Sequence, residues 1–155
     1  MMNQASIRYG LIAGVGVVAY FLLFYLIKPS LVLNPYIWWG SVVIYFWAML
    51  QAAKKEGEGN AFLSYLKPAF AVYVLANAFF YAFYYSLFGV FDTSLVDLQF
   101  EIMKANPRAP ENLTREMLDV TFNSVFFSYC SSLIAGFLYA LGISFMARRA
   151  KLATI

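Results

Sequence analysis

The sequence contains little charge, one cysteine and no histidine. Of its 155 residues, 12% are charged and 63% are hydrophobic, whereas a typical soluble domain is about 25% charged. So few charged side chains cannot cover the surface of a water-soluble globule of this size. The high apolar content also excludes an intrinsically disordered chain. Composition therefore predicts an integral membrane protein that forms a single domain over residues 1–155.

The residue types that are missing exclude several kinds of chemistry. Cys130 alone can form neither an intramolecular disulfide nor a thiolate metal cage. Without histidine there is no His-ligated haem and no imidazole base. No nucleotide-binding glycine loop or nucleophile elbow is present either. We therefore expect no metal, no cofactor and no enzymatic activity.

Four long apolar stretches without charge predict transmembrane helices. They cover residues 9–27, 35–53, 68–91 and 121–147. Even the shorter ones make about 28 Å of helix, close to the ~30 Å hydrocarbon core of a bilayer. None alternates in the manner of a barrel strand. The predicted fold class is an all-α integral membrane protein with four transmembrane helices. Because no small-x-small cleavage site follows the first stretch, we expect that helix to be retained.

The basic residues predict the orientation in the membrane. One side carries seven lysines and arginines: Arg8, Lys54, Lys55, Lys67, Arg148, Arg149 and Lys151. The other side carries four: Lys28, Lys104, Arg108 and Arg115. The positive-inside rule then places the N- and C-termini in the cytoplasm. This topology also accounts for the net charge of +3, so we expect no nucleic-acid partner.

Residues 92–120 join the third and fourth spans and predict an extracytoplasmic helical hairpin on the membrane surface. Ser94 to Asp97 resembles a capping box, and apolar residues follow it at helical spacing. Asn106-Pro107 breaks that helix, and Glu111 is expected to open a second helix that runs into the fourth span. On the other side of the membrane, residues 62–66 suggest an interfacial segment before Pro68 begins the third helix.

Polar residues are rare within the four spans. None of the spans contains an ionisable residue away from its ends, which argues against proton-coupled transport, intramembrane proteolysis and metal-dependent hydrolysis. Asn77 lies near the middle of the third span, with Tyr73 and Tyr81 one turn away on the same face. These three residues form either a polar notch that binds a ligand, or an interhelical hydrogen bond that fixes helix register.

Small and aromatic residues give two further patterns. The fourth span carries a small residue at every fourth position: Ser128, Ser132, Gly136, Ala140 and Ser144. This small-residue ladder favours close helix packing, either inside the protein or against a second subunit. Gly10 and Gly14 form a GxxxG motif, and we expect the ladder to be its partner. The many aromatic residues of the second and third spans either line a pocket for a lipid, a quinone or a cation, or form an interfacial belt.

Short motifs along most of the chain resemble a known family. They are Arg8-Tyr9-Gly10-Leu11, Lys54-Lys55-Glu56-Gly57-Glu58-Gly59, Phe62-Leu63-Ser64-Tyr65 before Lys67, Asn106-Pro107 and Arg148-Arg149. The chain resembles the membrane proteins of domain of unknown function 4199, found mainly in Bacteroidota. The resemblance implies a four-helix protein of the bacterial inner (cytoplasmic) membrane and supplies neither an activity nor site residues.

Three functions are compatible with these features. The leading hypothesis is a non-enzymatic accessory or scaffold subunit of a cell-envelope membrane complex, which packs with itself or with a larger membrane-protein partner among the membrane lipids. The alternative is a carrier of lipids or small molecules with an aromatic cavity near Asn77, Tyr73 and Tyr81. The third is a surface enzyme that uses carboxylates of residues 92–120, namely Asp92, Glu101 and Asp119.

Overall fold

A computed structural model describes residues 4–153 of the chain, and the secondary structure within them is helical. The five α-helices are α1 (Gln4–Ile27), α2 (Pro35–Glu56), α3 (Phe62–Ser86), α4 (Ser94–Lys104) and α5 (Phe122–Leu152). Helix α3 continues directly into a π-helical turn, Leu87–Phe91, and two short 3-10 helices cover Pro29–Leu33 and Arg115–Leu118. Residues 1–3 and 154–155 of the predicted domain lie outside the described part.

Three of these helices are long and apolar enough to cross a membrane: α1, α3 with its π-helical turn, and α5. Helix α2 has 22 residues, which correspond to about 33 Å. It is not among these three helices, and its last turn carries Lys54, Lys55 and Glu56. The long apolar helices identify the chain as a helical membrane protein.

Side-chain contacts show how the four long helices run relative to one another. Ser6 of α1 contacts Glu56 at the far end of α2, so these two helices are antiparallel. The Cβ of an alanine at Gly10 would lie 2.8 Å from Leu75, and one at Gly14 would lie 2.9 Å from Phe79. Because both residue numbers rise together, α1 and α3 run parallel. Helix α5 runs antiparallel to α3.

The contacts of Gly10 and Gly14 correct one prediction from the sequence. The GxxxG motif was expected to pack on the small-residue ladder of α5, but both glycines face α3. Helices α1 and α5 make no contact in the described part of the chain, because α3 lies between them. Close packing at Gly10 and Gly14 therefore brings α1 onto the central helix α3.

Two helix boundaries also differ from the sequence predictions. Helix α3 begins at Phe62, so Pro68 lies inside the helix and does not start it. The predicted interfacial segment is thus the first turn of α3. Helix α5 begins after Thr121, whose side chain forms a capping box with Ser124. At Ser94 the predicted capping box does not form, because Ser94 is already the first helical residue of α4 and Thr93 is the N-cap.

The predicted helical hairpin of residues 92–120 is only half helical. Its first half is α4, whose Leu95 and Val96 are buried against the rest of the molecule. After α4 the chain returns without an α-helix, apart from the 3-10 helix Arg115–Leu118. The helix expected from Glu111 onward is absent, since Thr114 has an extended backbone that interrupts it.

The small-residue ladder of α5 is divided between two environments. Gly136, Ala140 and Ser144 are buried against the rest of the protein, whereas Ser128 is exposed. A Cβ at position 136 would overlap the ring of Tyr73. Three members of the ladder thus pack inside the protein and bring α5 close to α3.

Candidate ligand-binding groove

A cavity of about 310 Å³ lies between α2, α3 and α5. Its walls are mainly aromatic and aliphatic, and we call it the groove. The lining residues are Trp38, Trp39, Ser41, Val42, Tyr45, Phe46, Met49, Tyr73, Asn77, Phe80, Tyr81, Ser132, Ala135, Tyr139 and Ile143. All of them belong to three of the long helices, so rigid elements shape the site.

The groove opens sideways between α2 and α5. Trp39, Phe46 and Tyr139 form its rim and are 68%, 39% and 43% exposed, respectively. On the inner wall, Tyr45 and Phe80 are 8% and 7% exposed. The opening therefore lies on the outer surface of the molecule, between these two helices.

The floor of the groove is polar. Asn77 is only 4% exposed, and its Nδ2 donates a hydrogen bond to Ser132 Oγ at 2.6 Å. The Tyr45 hydroxyl donates to Asn77 Oδ1 at 3.5 Å, and the Tyr73 hydroxyl donates to the Ser132 carbonyl at 3.3 Å. Asn77 therefore links α2, α3 and α5 at one point, deep in an otherwise apolar wall.

Helical spacing explains why these groups meet. Tyr73, Asn77 and Tyr81 are four residues apart on α3 and share one face. Gly136 allows α5 to approach Tyr73, and Ser132, one turn earlier on α5, then comes level with Asn77. Ser132 turns its own hydroxyl hydrogen back to the Tyr129 carbonyl at 2.6 Å. This leaves its oxygen to accept from Asn77.

A second cavity, of about 330 Å³, lies next to the groove at the end of the molecule that carries α4. The two cavities share Trp38 and Trp39 in their walls. Gln99 of α4 is among the residues that line the second cavity, and its side chain is an amide. The Trp38 indole N–H donates to the Val32 carbonyl at 2.7 Å, which holds this ring in place between the two cavities.

The charged residues of the described chain lie away from the groove, and none is among its lining residues. Arg115 pairs with Asp97 at 2.7 Å and with Asp119, and these contacts raise the pKa of Arg115, Asp97 most. Asp92 accepts from Ser94 and from the Tyr25 hydroxyl, and these bonds lower the pKa of its carboxyl, Ser94 most. Within residues 4–153, no group of three potential metal ligands occurs.

The structure brings together the three residues predicted as a polar notch, since Asn77, Tyr73 and Tyr81 all line the groove. Sequence reasoning did not identify Tyr45 as part of the site, and it assigned Ser132 to helix packing only. Both residues pair with Asn77 across helices, and no pattern within a single helix indicates such a pairing. Gly10 and Gly14 do not line the groove, nor does Ser128.

The fold and the groove define a helical membrane protein with a laterally open, mainly aromatic cavity. Within this class the chain belongs to the family described as Protein of unknown function (DUF4199), whose model matches residues 8–149. The comparison with curated proteins and the comparison with solved structures both gave no match.

Proposed function

We propose that this protein binds a lipid or another apolar small molecule in the groove, within the membrane. The observation that carries the proposal is the buried polar floor at Asn77, Tyr45 and Ser132, set in an aromatic cavity that opens toward lipid. Ligand pockets in proteins are mostly apolar and contain a few polar groups that fix the ligand's orientation. The groove has this composition, which favours the carrier alternative over the other two functions.

We propose further that α2 crosses the membrane, which gives four spans. Helices α1 and α3 run parallel, and both are apolar enough to span. The chain must therefore return to its starting side between them, and α2 is the only long helix available for that return. With the seven basic residues cytoplasmic, α4 lies on the extracytoplasmic surface of a bacterial inner membrane.

The proposed function is tested by filling the groove. Ala135 is an exposed residue of its lining, and the adjacent Ile134 is exposed but lies outside the groove. We expect native mass spectrometry of the purified wild type to show a bound lipid or small molecule. Ala135→Trp should lose this mass, and Ile134→Trp should retain it. A wild-type protein without a bound mass, or an Ala135→Trp variant that retains it, would contradict the proposal.

The accessory-subunit role is a separate proposal with weaker support. It relied on the ladder of α5, the surface hairpin and the absence of charge within the spans, but Gly136, Ala140 and Ser144 of the ladder are used for internal packing. What still favours it is that α5 packs only on α2 and α3, which leaves its outer face open. Stoichiometric copurification of a second protein, abolished by Leu138→Arg on that face, would support it. A monomer without a partner would contradict it.

A surface enzyme has the least support. Of the three carboxylates considered for it, Asp92 is hydrogen bonded to Tyr25 and Ser94 and Asp119 is paired with Arg115. These contacts link residues within 92–119 to one another and to α1. The two carboxylates therefore have a structural role.

A further inference from the structure

We infer that the ligand of the groove is an uncharged lipid whose polar group is a hydroxyl. This inference rests on the proposed function and specifies the chemistry of the molecule bound there. It follows from the charge of the lining, from the hydrogen-bonding capacity left at Asn77, and from the size and opening of the cavity.

The lining excludes a charged headgroup. No Asp, Glu, Lys or Arg is among the residues that line the groove. A phosphate, carboxylate or ammonium group placed beside Asn77 would lose its hydration without gaining an opposite charge. The polar partners on offer are one amide and several hydroxyl groups, all of which are neutral.

The hydrogen bonds at the floor select a group that both donates and accepts. A side-chain amide has two N–H donors, and Asn77 uses one of them on Ser132 Oγ. The second is available to a ligand oxygen. The Tyr45 and Tyr73 hydroxyls donate to protein acceptors, so their oxygens still have lone pairs to accept a ligand hydrogen. A hydroxyl group uses both kinds of site, whereas a ketone or an ether uses only the donor.

Size and opening indicate how the rest of the lipid lies. A volume of about 310 Å³ is at the lower end of the ~300–1,000 Å³ found for ligand pockets. It holds the polar group and the first part of one chain. The remainder leaves through the lateral opening and lies along Trp39, Phe46 and Tyr139, whose rings are exposed there.

The inference is tested with three photoreactive probes in protein-containing nanodiscs. The probes share one saturated chain with a diazirine and end in a hydroxyl, a methyl ether or a carboxylate. We expect the alcohol to label groove peptides of α2 and α5 about three- to tenfold more than the ether, the effect of about one net hydrogen bond. At pH 8 the carboxylate should label least.

Two variants assign this preference to the floor of the groove. Tyr45→Phe removes one hydroxyl with little change of shape, and Asn77→Leu removes the amide. Tyr45→Phe should bring alcohol labelling down toward the level of the ether, whereas Asn77→Leu, which removes the donor that both probes use, should reduce labelling by both. Tyr36→Phe is the matched control, since Tyr36 lies on the same helix and is 84% exposed. It should keep the full preference.

The possible results separate the inference from the proposed function. Equal labelling by alcohol and ether, or strongest labelling by the carboxylate, would overturn the hydroxyl inference and leave ligand binding intact. If no probe labels the groove of a folded wild-type protein, the proposed function fails as well. A preference that survives in Tyr45→Phe, together with undiminished labelling in Asn77→Leu, would show that the hydroxyl is recognised elsewhere.

Discussion

At the scale of single residues, Asn77 connects three helices through one amide group. Its spacing from Tyr73 and Tyr81 was visible in the sequence because all three lie on one helix face. Its partners were not, because Tyr45 and Ser132 are 32 and 55 residues away. Periodicity indicates which residues share one face of a helix. Which side chain of another helix meets that face depends on packing, here on the absence of a side chain at Gly136.

Gly136 gives a direct test of that packing. In a Gly136→Ala variant the new methyl group would overlap the Tyr73 ring, so Tyr73 must move and its bond to Ser132 is lost. Overpacking of this kind costs about 1–3 kcal/mol. Thermal unfolding in detergent should therefore show a lower transition temperature.

Gly142 is the matched control for this substitution. It lies on the same helix, and a Cβ there meets nothing within 4 Å. Gly142→Ala should be neutral or stabilise the protein by up to about 1 kcal/mol, the difference in helix propensity. If the two variants unfold at the same temperature, the contact between Tyr73 and Gly136 does not hold α5 in place.

At the scale of helices, α1 and α2 are joined at one end by Glu56. Its carboxylate accepts from the Ser6 backbone N–H at 2.6 Å and from the Ser6 hydroxyl at 2.7 Å. Ser6 is buried. In Glu56→Ala the buried N–H loses its partner, at a cost of about 1–3 kcal/mol, and amide hydrogens in the first turns of α1 should exchange faster. Glu58→Ala, at a nearby exposed site, should leave that exchange unchanged; acceleration in both variants would contradict the role of Glu56.

At the other end, α1 is held by the bond from Tyr25 to Asp92, and this contact predicts a pH dependence. Because hydrogen bonds from Ser94 and Tyr25 lower the pKa of Asp92, the ionised carboxyl stabilises the fold. That contribution is fully present above the ordinary pKa of about 3.9 and is lost as the pH falls through the lower, folded-state pKa. The ionisation of Asp92 should therefore not change the free energy of unfolding between pH 7 and pH 5.

The Tyr25→Phe variant tests this interpretation. Without the phenol, the pKa of Asp92 should rise toward its ordinary value. The acid-induced loosening of the junction between α3 and α4 should then begin at a higher pH than in the wild type, as followed by NMR or hydrogen exchange of residues 88–96. Tyr36→Phe should behave as the wild type. An unchanged onset in Tyr25→Phe would show that Ser94 alone sets the Asp92 pKa.

The sequence predicted which segments form helices better than it predicted where those helices end or which helices they contact. The four apolar stretches all became long helices, since 19 or more apolar residues favour one continuous element. Pro68 was misplaced because proline is tolerated most easily in a first turn, yet here six helical residues precede it. The α5 partner predicted for Gly10 and Gly14 was wrong because a GxxxG motif specifies close approach without specifying the neighbour.

At the scale of the whole molecule, the proposed topology places α4 and the end of α2 on opposite sides of the membrane. A Cys130→Ala background removes the single native thiol. Within it, Lys28→Cys, which precedes α2 and lies on the α4 side in this topology, should react with a membrane-impermeant maleimide in intact cells, and Lys54→Cys, at the end of α2, only after lysis. Both sites are exposed, so access depends on sidedness alone. Labelling of both in intact cells would contradict α2 as a membrane span.

The link between Asn77 and Ser132 also has a consequence for biosynthesis. The 55 residues between them take roughly 3–11 s to translate at ~5–20 residues per second. During that time α1, α2 and α3 are already made, and Tyr45 is the one cross-helix partner available to the amide. Only the arrival of α5 adds the second partner and closes the far wall of the groove. In the proposed function, insertion of the last helix is therefore the step that completes the ligand site.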